Sequence, residues 1–206
     1  PVKTPSYIPQ IAFYFLTGHK DAANKLTLFG KIAHHSNGQD GNFYTDDGKV
    51  NLQSGNFATN YLELGFLQSS YSQNLKAFKF IKSSFEIHPK SWMLEELQGQ
   101  YSGLRWHNTF LAYKLPMKTN PLPNEKQIAN FSIKAETTIM LDNFNNWNYF
   151  DAKRLNASLI LFYHPKFLED IGFFVQFYHG MDYYNIYFQH QISSIRFGIM
   201  TETLRF

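Results

Sequence analysis

A short run of polar residues, Ile32-Ala33-His34-His35-Ser36-Asn37-Gly38, closes a segment that is otherwise apolar at every second position. On an extended strand, residues two apart share a face, so His34 and Ser36 project side by side. A serine hydroxyl is a poor nucleophile at neutral pH unless a neighbouring base takes its proton, and an imidazole is the usual base. Both residues have the parity of Leu26, Leu28 and Ile32, which puts them on the greasy face of the strand, where polar groups are costly unless paired. Asn60 opens the next apolar alternation and shares the parity of Leu62, Leu64 and Phe66. If the two strands pair, its amide accepts the second imidazole N–H of His34 and leaves the other ring nitrogen free to take the serine proton. Asn56 has the same parity and is a rival third member; the strand length from Asn60 to the turn at Ser69 favours Asn60.

The elements that must hold these residues are strands. Segments near Tyr7 to Leu16, Lys25 to Ser36, Ala58 to Gln68, Leu75 to Ile87, Gly99 to Leu115, Ile128 to Leu141, Lys153 to Tyr163, Gly172 to His179 and Ile192 to Phe206 have strand length and composition. Polar, Gly-, Pro- or Asn-rich breaks separate them, and helix is expected only over Trp92 to Leu97. Short connections (Gly18 to Asn24, Ser69 to Asn74, His164 to Asp170) roughly alternate with long ones (Asn37 to Phe57, Asp142 to Asp151). Tight turns on one side and long loops on the other are the pattern of outer-membrane barrels. Pro116 to Gln127 breaks that rule, being long where a short turn is expected.

Composition points the same way. Aromatic residues make up 18% of the chain and charged ones only 17%, sparse for a surface kept in water. No run of apolar residues is long enough for a spanning helix, and the mean hydropathy is -0.35. A membrane barrel reconciles these features, since only alternate residues face lipid. Cysteine is absent, which excludes disulfides and thiolate chemistry. The net charge of +3 is spread along the chain, without the basic clusters of a nucleic-acid binder. His35, His88, His107, His164, His179 and His190 show no metal-ligand spacing and are expected at the rim or in the lumen; Trp92, Trp106 and Trp147 are expected as girdle or loop aromatics.

His34-His35-Ser36-Asn37-Gly38 resembles the His-x-Ser-Asn-Gly motif of the outer membrane phospholipase A family, calcium-dependent enzymes of Gram-negative bacteria built on a twelve-stranded barrel. Tyr7-Ile8-Pro9-Gln10, Asn146-Trp147-Asn148, Gln176 to Gly180 and Arg196 to Met200 resemble further family segments in the same order. The resemblance implies an all-β antiparallel transmembrane barrel and Ser-His-Asn hydrolysis of phospholipid acyl esters in the outer membrane. Ser36 would be the nucleophile, His34 the base, Asn60 the orienting residue, and the Gly38 backbone N–H part of the oxyanion hole. It further implies a homodimer as the active form and Ca2+ bound by the Gln39 backbone carbonyl and by a serine of the partner subunit from an earlier loop; in this chain the loop after Ser36 also carries Asp40, Asp46 and Asp47, oxygen donors of the right hardness. The family writes Ser-Trp-Asn before its strand where this chain has Ser54-Gly55-Asn56.

Nine strands are an odd number for a single-chain bacterial barrel, and no export signal follows Pro1. The expectation is therefore one barrel domain over residues 1 to 206, preceded in the full protein by a signal and about three more strands. A terminal strand ending in Phe206 also fits, given a bulge near Thr201 to Thr203 to correct its parity. The alternatives are a non-catalytic barrel, such as a channel or structural protein keeping a degenerate motif, and a soluble lipocalin-like barrel.

Overall fold

A computed structural model describes residues 6–17, 24–118, 127–168, 171–182 and 185–201. The chain is all-β. Nine antiparallel strands form one sheet in sequence order: β1 (Gln10–Thr17), β2 (Asn24–Ser36), β3 (Ala58–Ser72), β4 (Ala77–Ile87), β5 (Leu104–Lys118), β6 (Gln127–Met140), β7 (Leu155–Pro165), β8 (Ile171–Met181) and β9 (Gln191–Thr201). Each strand pairs with the next, and the sheet is not closed: β1 and β9 are its edges. Among the described residues, no helix is long and apolar enough to cross a membrane.

The alternation along β2 sorts its side chains as their chemistry requires. Thr27, Phe29, Ala33 and His35 are buried, while Leu26, Leu28 and Ile32 are exposed. Continuous antiparallel register carries that division across the sheet. Ile11, Ile32, Leu62 and Ile87 stand in one outward row, and Phe173, Phe177, Ile195 and Phe197 belong to the same outer face. Several of these are strongly exposed, Ile11 at 62% and Phe197 at 85%. Polar and charged groups point the other way. Glu63 receives the ammonium groups of Lys31 and, at 2.8 Å, Lys82, and the Ser84 hydroxyl at 2.7 Å. Glu86 is bonded by His88 Nε2 at 2.8 Å, with Arg105 Nη1 at 3.4 Å and His107 Nε2 at 3.3 Å. This is the inverse of a soluble sheet, which turns its apolar face inward.

One cavity is lined by His35 of β2, Glu86 of β4, Arg105 of β5, Asn156 of β7 and Gln176 of β8, so the sheet curls around a shared interior. The loops after β2, β4, β6 and β8 converge over one end of it in an apolar cluster that includes Phe43, Phe57, Leu97, Tyr101, Phe144 and Phe188. Phe57, Tyr101 and Phe188 touch edge-on or tilted at 5.3 to 5.7 Å between ring centres, joining three of the four loops. Asp142 accepts from Ser102 Oγ at 2.5 Å and Gly103 N at 2.7 Å and so ties the third loop to the second. This cap is the principal apolar core, because the wall itself faces outward.

Two expectations need correction. The fifth strand begins at Leu104 and not near Gly99: Gly99 takes a positive φ of 77°, and Tyr101 and Ser102 are drawn into the loop cap. The expected helix over Trp92 to Leu97 is two single-turn 3-10 helices, Lys90–Trp92 and Glu95–Leu97, because Met93 between them is extended and bridges Thr59. The nine antiparallel strands expected are all present, in one sheet whose open edges are β1 and β9. A register shift does occur, between Ala112 and Leu115 of β5, where Lys114 has φ 57°. Thr201 still pairs with Ile171, and the rest of the bulge expected near Thr201 to Thr203, like the connection at 119–126, lies outside the described residues.

Candidate active site

The β2–β3 register sets Leu28 against Phe66, Gly30 against Leu64 and Ile32 against Leu62, and the next outward pair is His34 against Asn60. An apolar ladder thus ends in an imidazole and an amide directly opposite each other. His34 Nδ1 lies 2.8 Å from Asn60 Oδ1. The orientation of the amide follows from its other end: Asn60 Nδ2 donates to the Trp92 carbonyl at 3.2 Å, which turns Oδ1 toward the ring. His34 Nδ1 is then the donor, and Nε2 carries the free lone pair. The segment holding Trp92 is fastened to the start of β3 by the Thr59–Met93 bridge and by Leu94 N donating to Ala58 O at 3.2 Å.

Ser36 follows on the same face and ends β2, opposite Ala58. Its backbone is fixed by exchange with Tyr7: Tyr7 N donates to Ser36 O at 2.8 Å, and Ser36 N to Tyr7 O at 3.0 Å. Its hydroxyl makes no hydrogen bond to a described residue. Beyond it, Gly38 turns the chain at φ 67°, and a Cβ there would meet the Tyr7 ring at 2.7 Å. The rival Asn56 lies in the loop, where its N–H bonds Gly41 O at 2.9 Å, and it is not opposite His34. A cleft of about 510 Å³ runs along the wall beside the pair, lined by Ile11, Ile32, His34, Asn60 and Trp92 among others.

The acidic residues of the loop after Ser36 are dispersed. Asp40 and Asp46 are exposed. Asp47 is engaged by Lys49 Nζ at 2.7 Å and by the Thr45 hydroxyl, which hold its carboxyl below the usual range. Among the described residues, no three His, Asp or Glu side chains form a group able to hold a metal ion. With the Gln39 carbonyl, Asp40 and Asp46 would supply only part of the six to eight oxygens that calcium takes.

The other described histidines divide between the interior, the cap and the wall. His35 faces inward against the Phe57 ring, 5.0 Å between centres, and His107 bonds Thr138 Oγ1 at 2.8 Å. His88 sits just beyond β4, where it accepts from Thr59 Oγ1 at 2.9 Å, and burial lowers its pKa from the ordinary 6.5. His179 is exposed on the outer face, with Ser193 Oγ 2.8 Å from its Nδ1. This second histidine–serine pair escapes a reading of the sequence because it forms across strands β8 and β9, fourteen residues apart. Trp106 also lies on the outer wall, donating to Ser83 Oγ at 2.9 Å, while Trp147 packs on Phe144 in the cap.

Comparison of the chain with protein-family models, with curated proteins and with solved structures finds no match.

Proposed function

We propose that this protein is an outer-membrane phospholipid hydrolase of the outer membrane phospholipase A type, cleaving acyl esters with Ser36, His34 and Asn60. The observation that carries this reading is the His34–Asn60 hydrogen bond that closes the apolar ladder of β2 and β3 on the outward wall, at the end of the strands that bears the long loops. An imidazole on such a face is expensive to desolvate and has to be compensated. Asn60 compensates it in the way that leaves Nε2 basic, toward the side where an acyl ester would approach. The apolar exterior around a polar interior favours a lipid bilayer over a soluble ligand-binding barrel, and with it the outer membrane of a Gram-negative bacterium.

In the reaction, the Ser36 hydroxyl turns to His34 Nε2 and loses its proton to it as Oγ bonds the ester carbonyl carbon. The carbonyl electrons move onto oxygen, where the Gly38 N–H stabilises them. Collapse breaks the carbon–oxygen bond to glycerol, and the imidazolium returns its proton to the departing alkoxide. Water repeats the sequence on the acyl-serine and frees the fatty acid. Calcium held through the Gln39 carbonyl, Asp40 and Asp46, with oxygens from water or a second copy in a homodimer, would add positive charge beside the developing oxyanion. Asn60 orients the ring without the full charge compensation a carboxylate gives.

The unbonded Ser36 hydroxyl favours a second reading, a non-catalytic barrel that retains the motif. Fatty-acid release from phospholipid–detergent micelles, with calcium or with a chelator, separates the two. Ser36→Ala should lower release at least about 10³-fold, and chelation should abolish it. Wild-type protein without serine-dependent release would leave the non-catalytic reading.

A further inference from the structure

Asn37 is the residue after the candidate nucleophile, and it is 1% exposed. Its Oδ1 accepts from two backbone donors, Gln39 N at 3.2 Å and Phe57 N at 3.1 Å, and its Nδ2 donates to Gly55 O at 2.8 Å. Both acceptor positions of the amide are thereby used. The bond to Gln39 N closes an Asx turn, the local device by which an asparagine side chain fixes the two residues that follow it. Its other two bonds reach across the loop and pin that turn to the segment leading into β3.

The effect on the backbone N–H groups is selective. Asn37 N is spent on Phe57 O at 3.1 Å, and Gln39 N is spent on the Asn37 side chain. Gly38 N, between them, donates to no described residue. The positive φ of Gly38 and the Tyr7 ring packed where a Cβ would stand allow no other residue there without displacing that ring. One unspent donor is therefore held in a rigid turn two residues beyond Ser36. An oxyanion donor needs that rigidity, since its value lies in being oriented before charge develops.

We infer that Asn37 is a positioning residue that builds the oxyanion site by fixing the Gly38 N–H, an inference that rests on the hydrolase reading. A buried asparagine could also simply glue its loop. The two roles part in kinetics, because a donor that acts on the tetrahedral intermediate affects kcat, whereas loop fastening affects the folded fraction or substrate binding.

The test compares wild type with Asn37→Ala, Asn37→Asp and Gly38→Ala in phospholipid–detergent micelles, scoring folded protein by heat-modifiable electrophoretic mobility. For Asn37→Ala the expectation is a fall in kcat of about 10²-fold with KM within about twofold, and a parallel slowing of Ser36 modification by a long-chain sulfonyl fluoride. Asn37→Asp keeps the acceptor for Gln39 N and Phe57 N and should recover part of the loss; Gly38→Ala should behave like Asn37→Ala. Should Asn37→Ala not fold, Asn37→Asp and Gly38→Ala carry the test: Asp within about tenfold of wild type supports the inference, and Gly38→Ala at wild-type kcat overturns it. Unchanged kcat in folded Asn37→Ala, or a loss confined to KM, also overturns it. Wild-type protein that releases no fatty acid and is unlabelled at Ser36 overturns the hydrolase reading and this inference together.

Discussion

The interior of the curled sheet and its outer wall handle polar groups in opposite ways. Inside, Lys31, Glu63, Lys82, Glu86, Arg105 and His107 form a dense ionic belt, and each carboxylate meets at least two cationic or hydrogen-bonding partners. Outside, polar residues are few and pair off separately: His34 with Asn60, Ser83 with Trp106 and Asn108, His179 with Ser193. Titratable groups gathered in a cavity usually mark a functional site. Here they neutralise one another and are what a polar lumen needs for its own stability. The chemistry we propose belongs instead to a sparse pair on the apolar wall, where each polar group must be justified singly and a free imidazole lone pair can meet a lipid ester.

Breaking the belt should give the largest effect on stability and little on hydrolysis. Glu86→Ala leaves the buried Arg105 without its carboxylate and should cost about 3–5 kcal/mol, read from the urea unfolding midpoint in detergent, while the protein that remains folded keeps its kcat. A loss of kcat at full stability would move the functional site indoors. Leu64→Arg tests the other half of the comparison. On the outer face, opposite Gly30, the charge should cost about 2–4 kcal/mol of folding into lipid, whereas Thr109→Arg on the lumen side should be much milder; equal penalties would argue against a lipid-facing wall. The smallest effect sharpens the boundary between wall and cap. Because burial lowers the pKa of His88, the folded state favours its neutral form, so its contribution is complete above about pH 6.5 and is lost as pH falls through the depressed value. Hydrogen-exchange protection in the 88–103 loop, taken relative to the unstructured chain at the same pH, should therefore fall below pH 6.5, and His88→Gln, which can still donate to Glu86 and accept from Thr59, should flatten that dependence. An unchanged slope would assign it to another group.

Much of the wall was legible because strand alternation is a local signal. The parity of Leu26, Leu28 and Ile32 predicts the outward face of β2, and that of Leu62 and Leu64 predicts β3. Register makes the two parities meet at His34 and Asn60, and it leaves Asn56 in the loop. The Trp92 carbonyl that orients Asn60 was not legible, since a backbone acceptor thirty-two residues away leaves no trace in side-chain pattern. The bonding of Asn37 was not legible either, because its partners, Gly55 and Phe57, come from the far end of the same loop. The cap was hidden for a related reason: Phe43, Phe57, Tyr101 and Phe188 follow no period, and only convergence of the loops makes them a core. The belt required knowing that Glu86 stands opposite Arg105, a fact of register and not of composition.

Covalent trapping decides whether Ser36 is the nucleophile, because among the described residues the outer wall carries both Ser36 on the face of His34 and Ser193 beside His179. Folded protein in detergent would be treated with a long-chain sulfonyl fluoride and the adduct mapped by peptide mass spectrometry. Modification is expected at Ser36, absent in His34→Ala and slowed in Asn60→Ala. Modification at Ser193, or none at all in protein of native mobility, would contradict it.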